Sequence, residues 1–340
     1  MASTLSIDRV VSWGDVRGGT ATVDLTTSRG ADPGEDPAAR FAQVTYSDIG
    51  PVDTPCVVVQ GGITSDRHVA TTGALRGWWP EVVSADGAID PTRTRVVCTE
   101  PPCFSDPEER LSTAGHARAI AALLDRLQIE RVERWVGASY GGMVGMVFAV
   151  EAPARLRHLV AISAPDRPHP IATAARSLQR RIVELGVLNG CADDALAIAR
   201  GLAMTTYRTE EEFEERFTGE PDRHGRFPVE SYLDAHGRAI VGRLGAQQYL
   251  DLSTALDRHE IEPGELRTPT TLVAVPNDRL VPWSQLARLA DAIAGPCRLE
   301  RLESTYGHDA FLKETTKVNR ILREAERRTD FVERPEGGVQ

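Results

Sequence analysis

The sequence contains no uninterrupted apolar run near the roughly eighteen residues that a membrane helix requires. That argues against a membrane-spanning protein. Its N-terminus, Met1-Ala2-Ser3-Thr4-Leu5, lacks a basic segment followed by an apolar core, so no secretory signal is expected. Cysteine is scarce and poorly spaced for chemistry. Cys56, Cys98, Cys103, Cys191 and Cys297 are an odd number without CxxC or Cys/His spacing. This argues against a disulfide framework and a metal site, and fits reduced, mostly buried thiols in a cytoplasmic protein. Positive charge is also short. Lys+Arg number 39 against 49 Asp+Glu, a net charge of -10, and the arginines are scattered, as solvated faces paired with glutamates would be. No nucleic-acid partner is expected, because binding phosphates needs a concentrated basic surface. The chain has no internal repeat.

What is present fits one large α/β domain with an insertion, or two modest domains: 340 residues, 41% of them hydrophobic. The first fifty residues alternate apolar and polar positions, as at 5–11 and 21–25, with a turn-rich stretch at 29–37. Antiparallel strands at a sheet edge are predicted. Short continuous apolar runs follow at 56–59, 95–98, 134–136, 159–162 and 271–275, with a last strand near 298–302. Such runs suit parallel strands buried on both faces. Helical periodicity lies between them at 114–127, after residue 139, and at 283–293. The alternation predicts a doubly wound, mostly parallel sheet. It breaks from about 170 to 265, where amphipathic helical patterns replace strands. The expected organisation is a core of 1–169 and 266–330, an inserted helical cap over 170–265, and a frayed tail at 331–340.

Gly137-Ala138-Ser139-Tyr140-Gly141-Gly142 matches G-x-S-x-G, with apolar Trp135-Val136 before it and a helix-forming run after it. Alone, the motif occurs by chance in many chains, or marks a glycine-rich helix start packed on a sheet. Its context here is what the chemistry requires. A tight strand-to-helix turn with small neighbours exposes the serine hydroxyl, and the helix N-terminus faces developing negative charge.

Ser139 needs a base and an acid in the chain order Ser…Asp…His. Among eight histidines, His308 stands in Tyr306-Gly307-His308-Asp309-Ala310, after the last strand and at the opening of the last helix. Asp278, in Pro276-Asn277-Asp278-Arg279, follows the preceding strand; by itself it could equally cap the next helix. Together they predict a Ser139, His308, Asp278 triad in an α/β-hydrolase fold. The base takes the serine proton during attack, and the carboxylate fixes the imidazole tautomer. The expected oxyanion donors are the N–H of Tyr140 and that of Gly62, from the glycine loop Gln60-Gly61-Gly62-Ile63 after the first buried strand.

Several segments resemble the homoserine O-acyltransferases of methionine biosynthesis. They are Tyr306-Gly307-His308-Asp309-Ala310-Phe311-Leu312, Gly77-Trp78-Trp79, Ser139-Tyr140-Gly141-Gly142-Met143, Thr206-Tyr207-Arg208-Thr209, Phe227-Pro228-Val229-Glu230-Ser231-Tyr232-Leu233, Tyr249-Leu250-Asp251-Leu252 and Asp278-Arg279-Leu280. The resemblance implies a ping-pong reaction. Ser139 takes an acyl group from acyl-CoA, with acetyl placed ahead of succinyl, and the L-homoserine hydroxyl resolves the acyl-enzyme. It also implies that Arg200 and Tyr207 hold the acceptor carboxylate and that Asp309 holds its ammonium or hydroxyl. A zwitterionic acceptor needs one cation and one carboxylate in this way. Acyl-CoA enters as co-substrate, no cofactor stays bound, and a homodimer is left open.

The chain departs from the family in two places. Ser84-Ala85-Asp86-Gly87 replaces the usual glycine-proline-glycine turn, and the short Glu100-Pro101-Pro102-Cys103-Phe104-Ser105 replaces a long glycine- and serine-rich loop. It therefore looks like a compact branch, with donor and acceptor open: L-serine or another hydroxy amino acid is the alternative acceptor. The competing classes are an esterase or thioesterase, in which water resolves the acyl-enzyme, and a non-catalytic binding protein on this fold. An intact triad argues against the last.

Overall fold

The computed structural model describes residues 16–25 and 41–327. Its centre is a sheet built from runs that are apolar because both faces are covered: β3 (Cys56–Gln60), β4 (Arg95–Thr99), β6 (Val132–Ala138), β7 (Leu159–Ile162) and β8 (Thr270–Ala274). These five pair in parallel with one another, and β9 (Cys297–Arg301) pairs in parallel with β8. At the other edge, β1 (Val16–Asp24) and β2 (Phe41–Ile49) pair antiparallel, and β2 runs antiparallel to β4 and to the two-residue β5 (Cys103–Phe104). The order is β1-β2-β4-β3-β6-β7-β8-β9.

Alternate residues of one strand serve different cores. Val58 joins one cluster, while Val57 and Val59 join the other, together with Trp79. The helices that cover the sheet are α2 (Thr113–Arg126), α3 (Tyr140–Glu151), α9 (Trp283–Ala292) and α11 (Thr315–Arg327), with the short α1 (Pro107–Arg110) and α10 (Ala310–Lys313) beside them. Ser112 starts α2 by accepting from the N–H groups of Ala114 and Gly115. Five helices stand between β7 and β8: α4 (Pro170–Leu188), α5 (Ala192–Tyr207), α6 (Glu210–Phe217), α7 (Pro228–Ile240) and α8 (Ala246–Asp257). Among the described residues no helix is long and apolar enough to cross a membrane.

Some expectations fall outside what the structure describes, and two need correction. The strand pattern at 5–11, the turn-rich stretch at 29–37 and the tail at 331–340 lie outside the described residues. The thiols are not mostly buried: Cys56 and Cys98 are, Cys297 is half-buried, and Cys103 and Cys191 are exposed. Nor are the arginines all solvated faces. Arg95 is buried and donates from Nε and Nη2 to Asp48 at 2.9 and 2.8 Å, pinning β4 to β2; Arg17 on β1 reaches the same carboxylate at 3.2 Å. Asp48 satisfies both guanidiniums, and one such pairing lowers the cost of burying charge.

Candidate active site

Ser139 stands between β6 and α3 at φ 51° and ψ -118°, a left-handed conformation uncommon for a side-chain-bearing residue. The sequence permits it by removing neighbouring side chains. A Cβ on Gly137 would meet the Gly141 carbonyl oxygen at 2.3 Å, and one on Gly141 would meet the Gln60 carbonyl oxygen at 2.4 Å. Both contacts are to backbone, so neither position tolerates alanine in place. Ser139 N–H donates to the Ile162 carbonyl (2.8 Å), and Gly141 N–H to the Gly61 carbonyl (2.9 Å). The elbow is thereby tied to β7 on one side and to the loop after β3 on the other.

The three residues of the expected triad form one hydrogen-bonded chain. His308 Nε2 lies 2.8 Å from Ser139 Oγ, and Nδ1 lies 2.8 Å from Asp278 Oδ2. Asp278 follows β8, and its second oxygen accepts from the N–H groups of Leu280 and Val281 at 2.8 and 3.0 Å. Asn277 donates to the Ser304 carbonyl (2.7 Å), joining the acid's loop to the loop that carries the base. Gly307 sits at φ +56°, and a Cβ there would stand 2.7 Å from the Tyr207 carbonyl oxygen. That glycine allows the base loop to press against the end of α5. Burial alone would push the His308 imidazole down. The Asp278 charge and hydrogen bond, with the charge of Asp309, outweigh burial, and its pKa is raised.

The residues expected at the acceptor side lie close by. The Tyr207 ring is 5.3 Å from the His308 ring, and the Arg200 guanidinium stands over Tyr207 at 5.2 Å from its centroid. Among the described residues no carboxylate pairs with Arg200. It lines a cavity of about 370 Å³ together with Ile63, Thr64, Glu100, His236 and Arg243. A smaller space behind it is lined by Arg176, Tyr249 and Leu280. Asp309 is already engaged. Its Oδ2 lies 3.1 Å from Arg208 Nη2, and Arg208 also faces Glu212 and the Tyr232 hydroxyl. Sequence reasoning quoted Arg208 within a motif and assigned it no part. Its signal was the i,i+4 spacing to Glu212 on α6, which carries no hint of Asp309.

Of the expected oxyanion donors, Tyr140 is the first residue of α3, whose N–H has no acceptor within the helix. A Cβ on Gly62 would meet nothing within 4 Å, whereas one on Gly61 would lie 2.1 Å from Ser65 Oγ. Packing thus demands a glycine at 61 and leaves the backbone open at 62. Among the described residues no group of three His, Cys, Asp or Glu side chains could hold a metal.

A mostly parallel, doubly wound sheet with a strained serine between strand and helix, a histidine after the last strand and an aspartate after the strand before it defines an α/β hydrolase. The model of the α/β hydrolase fold family matches residues 57–315. Solved structures agree on that fold: homoserine O-acetyltransferase from Bacillus anthracis superposes with a TM-score of 0.77 at 15% identity, over 95% of this chain and 99% of that one. Esterase E22 superposes with a TM-score of 0.78 at 14% identity, over 92% and 100%. Sequence similarity reaches further. A homoserine O-succinyltransferase of Xanthomonas campestris pv. campestris is 43% identical over 299 residues, 85% of this chain and 80% of that protein. A homoserine O-acetyltransferase of Thermus thermophilus is 32% identical over 84% of this chain and 85% of its own length. The chain belongs to the homoserine O-acyltransferase family.

Proposed function

We propose that the protein transfers an acyl group from an acyl-CoA thioester to the hydroxyl of L-homoserine, through an ester on Ser139, as a step in methionine biosynthesis. The observation that carries this reading is the hydrogen-bonded chain of Ser139, His308 and Asp278 beside an Arg200 that no carboxylate among the described residues neutralises. A plain esterase has no use for such a cation. Neutral His308 takes the Ser139 proton as Oγ attacks the thioester carbonyl, and the N–H groups of Tyr140 and Gly62 receive the oxyanion. The tetrahedral species collapses with loss of the CoA thiolate, which takes the proton from His308. In the second half His308 deprotonates the homoserine hydroxyl, which attacks the ester and releases Oγ with that proton returned. Acyl-CoA is co-substrate, and no tightly held cofactor enters either half; a biosynthetic enzyme fed by CoA thioesters belongs in the cytoplasm.

Arg200, backed by Tyr207, receives the acceptor carboxylate. Asp309 acts on the opposite end through the oxygen not engaged by Arg208. The five helices from α4 to α8 act as a cap that limits water access.

The donor reading changes in one respect from the expectation that placed acetyl first. Arg176 and Arg180 share the single carboxylate of Asp257, leaving one positive charge in excess, and Arg176 and Arg200 line the same small space of about 20 Å³. A donor whose acyl group ends in a carboxylate, such as succinyl, suits that charge. The resemblance to a homoserine O-succinyltransferase supports the same choice. The test is to mix the protein with homoserine or L-serine and each CoA thioester and weigh the products. O-succinylhomoserine is expected; without an acceptor one equivalent of CoA should leave in a burst, and further release should be slow. Release equally fast without acceptor would replace this reading with a thioesterase.

A further inference from the structure

Behind the elbow lies a polar pair that the mechanism above leaves unused. The hydroxyl of Tyr140 meets Nδ1 of His116, on α2, at 2.8 Å. Both residues are buried, at 4% and 1% exposure. The imidazole also stacks on Phe104, with ring centroids 5.0 Å apart, and meets the Tyr140 ring edge-on at 5.4 Å. Burial pushes the His116 pKa down to about 3, against a weak opposing pull from the Arg110 carbonyl, and burial pushes the Tyr140 phenol well up. Both groups are neutral at working pH. Among the described residues the phenol has one partner, Nδ1, and either of the two atoms can be the donor. The other ring nitrogen, Nε2, is buried and makes no well-formed hydrogen bond among the described residues, although the Arg110 carbonyl pulls on the ring.

This arrangement is costly as packing. A buried ring nitrogen without a well-formed hydrogen bond loses hydration that it does not recover, and a phenylalanine and a leucine would fill the same space without that loss. What the pair adds is direction. Tyr140 follows the nucleophile, and its backbone N–H is one of the two oxyanion donors of the proposed mechanism. The next residue is already fixed, since Gly141 N–H donates to Gly61. The Ser139 carbonyl accepts from the N–H groups of Gly142 and Met143 at 3.0 and 3.1 Å, which holds one side of the peptide between Ser139 and Tyr140, and the bond at the far end of the Tyr140 side chain braces the other. We infer that His116 is a positioning residue: by holding the Tyr140 hydroxyl it aims the Tyr140 N–H at the oxyanion. The hydrogen bond His116 makes is to Tyr140 and not to Ser139, and the inference rests on Ser139 being the nucleophile.

The experiment follows the burst of free CoA when wild type and variants meet acyl-CoA, together with the homoserine KM in steady state. His116→Leu should slow the burst about tenfold to a hundredfold, the range for a misdirected donor as opposed to a deleted one. The homoserine KM should stay unchanged. His116→Asn places an amide oxygen near the position of Nδ1 and should recover most of the rate. Tyr140→Phe removes the hydroxyl at nearly constant volume, so it provides the test even if His116→Leu fails to fold. It should show the same loss, and the double variant should be no slower than the slower single one. A wild-type burst in His116→Leu or Tyr140→Phe overturns the inference. So does an equal loss in folded His116→Asn and His116→Leu, which would mean packing alone. Failure of the underlying reading looks different: Ser139→Ala would keep its burst.

Discussion

The segment from Val132 to Ala149 and the inserted helices α4 to α8 are built to opposite standards. In the first, every residue but Glu133 and Ser139 is buried, and glycines stand where a methyl group would strike backbone. Ser139 is half-exposed because reaction requires it. In the second, Ile171, Leu185, Ile198 and Leu188 are exposed, the last at 81%, and the polar groups nearest the serine come from the end of α5. A close-packed strand and helix fix a nucleophile to within a fraction of an ångström. The inserted helices bury Val183, Leu196, Met204 and Leu252 on their inner sides, and their solvent-facing sides can change residues without disturbing the nucleophile. On the proposed mechanism the attack on the thioester belongs to the core, and recognition of the acceptor and of the acyl tail belongs to the insertion; substitutions should separate the two.

The largest effect belongs to the core. Ser139→Ala should abolish the CoA burst and lower turnover by about a millionfold, the scale of loss when a triad nucleophile is removed. Thermal unfolding should stay close to wild type, since alanine fits the same turn. Wild type with acyl-CoA alone should gain one acyl mass on the peptide that contains Ser139. His308→Ala in addition should cost little more, because the residues act as one unit. Additive losses would break the first half of the comparison.

A smaller and more selective effect belongs to the insertion. Arg200→Ala should raise the homoserine KM about tenfold to a hundredfold, the worth of a charge-assisted hydrogen bond of about 1.5–3 kcal/mol. The burst of CoA should remain, because Arg200 does not enter acylation. The two rates measured in one preparation decide the matter. If the burst falls with the transfer rate, Arg200 serves the donor or the scaffold, and its assignment to the acceptor is wrong.

The core was legible in the sequence because its constraints are local. The elbow announces itself in six consecutive residues, the acid follows a continuous apolar run, and the base precedes a helix. Parallel strands, buried on both faces, gave runs that no amphipathic helix gives. What stayed hidden depends on partners distant in sequence. Asp48 and Arg95 are 47 residues apart, His116 and Tyr140 lie on different helices, and Arg208 meets Asp309 only where α5 turns toward the base loop. Pairings of this kind leave no periodicity, so each residue looked like an ordinary surface charge or core aromatic. The exposed Cys103 and Cys191 were misjudged for the same reason: solvent exposure there follows from a two-residue strand and a helix end.

Asp309 sits on the border between the two regions, and the smallest predicted effect tests which side it serves. Its negative charge is among the influences that raise the His308 pKa, after the charge and hydrogen bond of Asp278. The base must be neutral to accept the serine proton, so the burst rate falls as pH drops through the His308 pKa, which lies above the ordinary imidazole value near 6.5. Asp309→Asn removes a charge that favours the imidazolium. It also leaves the Arg208 guanidinium less neutralised, at 3.1 Å from the same side chain, and that positive charge disfavours the imidazolium further. Both changes have one sign. The acid limb of the burst should therefore move to lower pH, by a fraction of a unit, with the plateau at high pH nearly kept. Homoserine KM should rise in the same variant, since the acceptor loses its anionic partner. A limb that stays in place while KM rises would make Asp309 purely an acceptor residue, its field at the base cancelled by Arg208. A limb that moves upward would contradict the electrostatic account of the base.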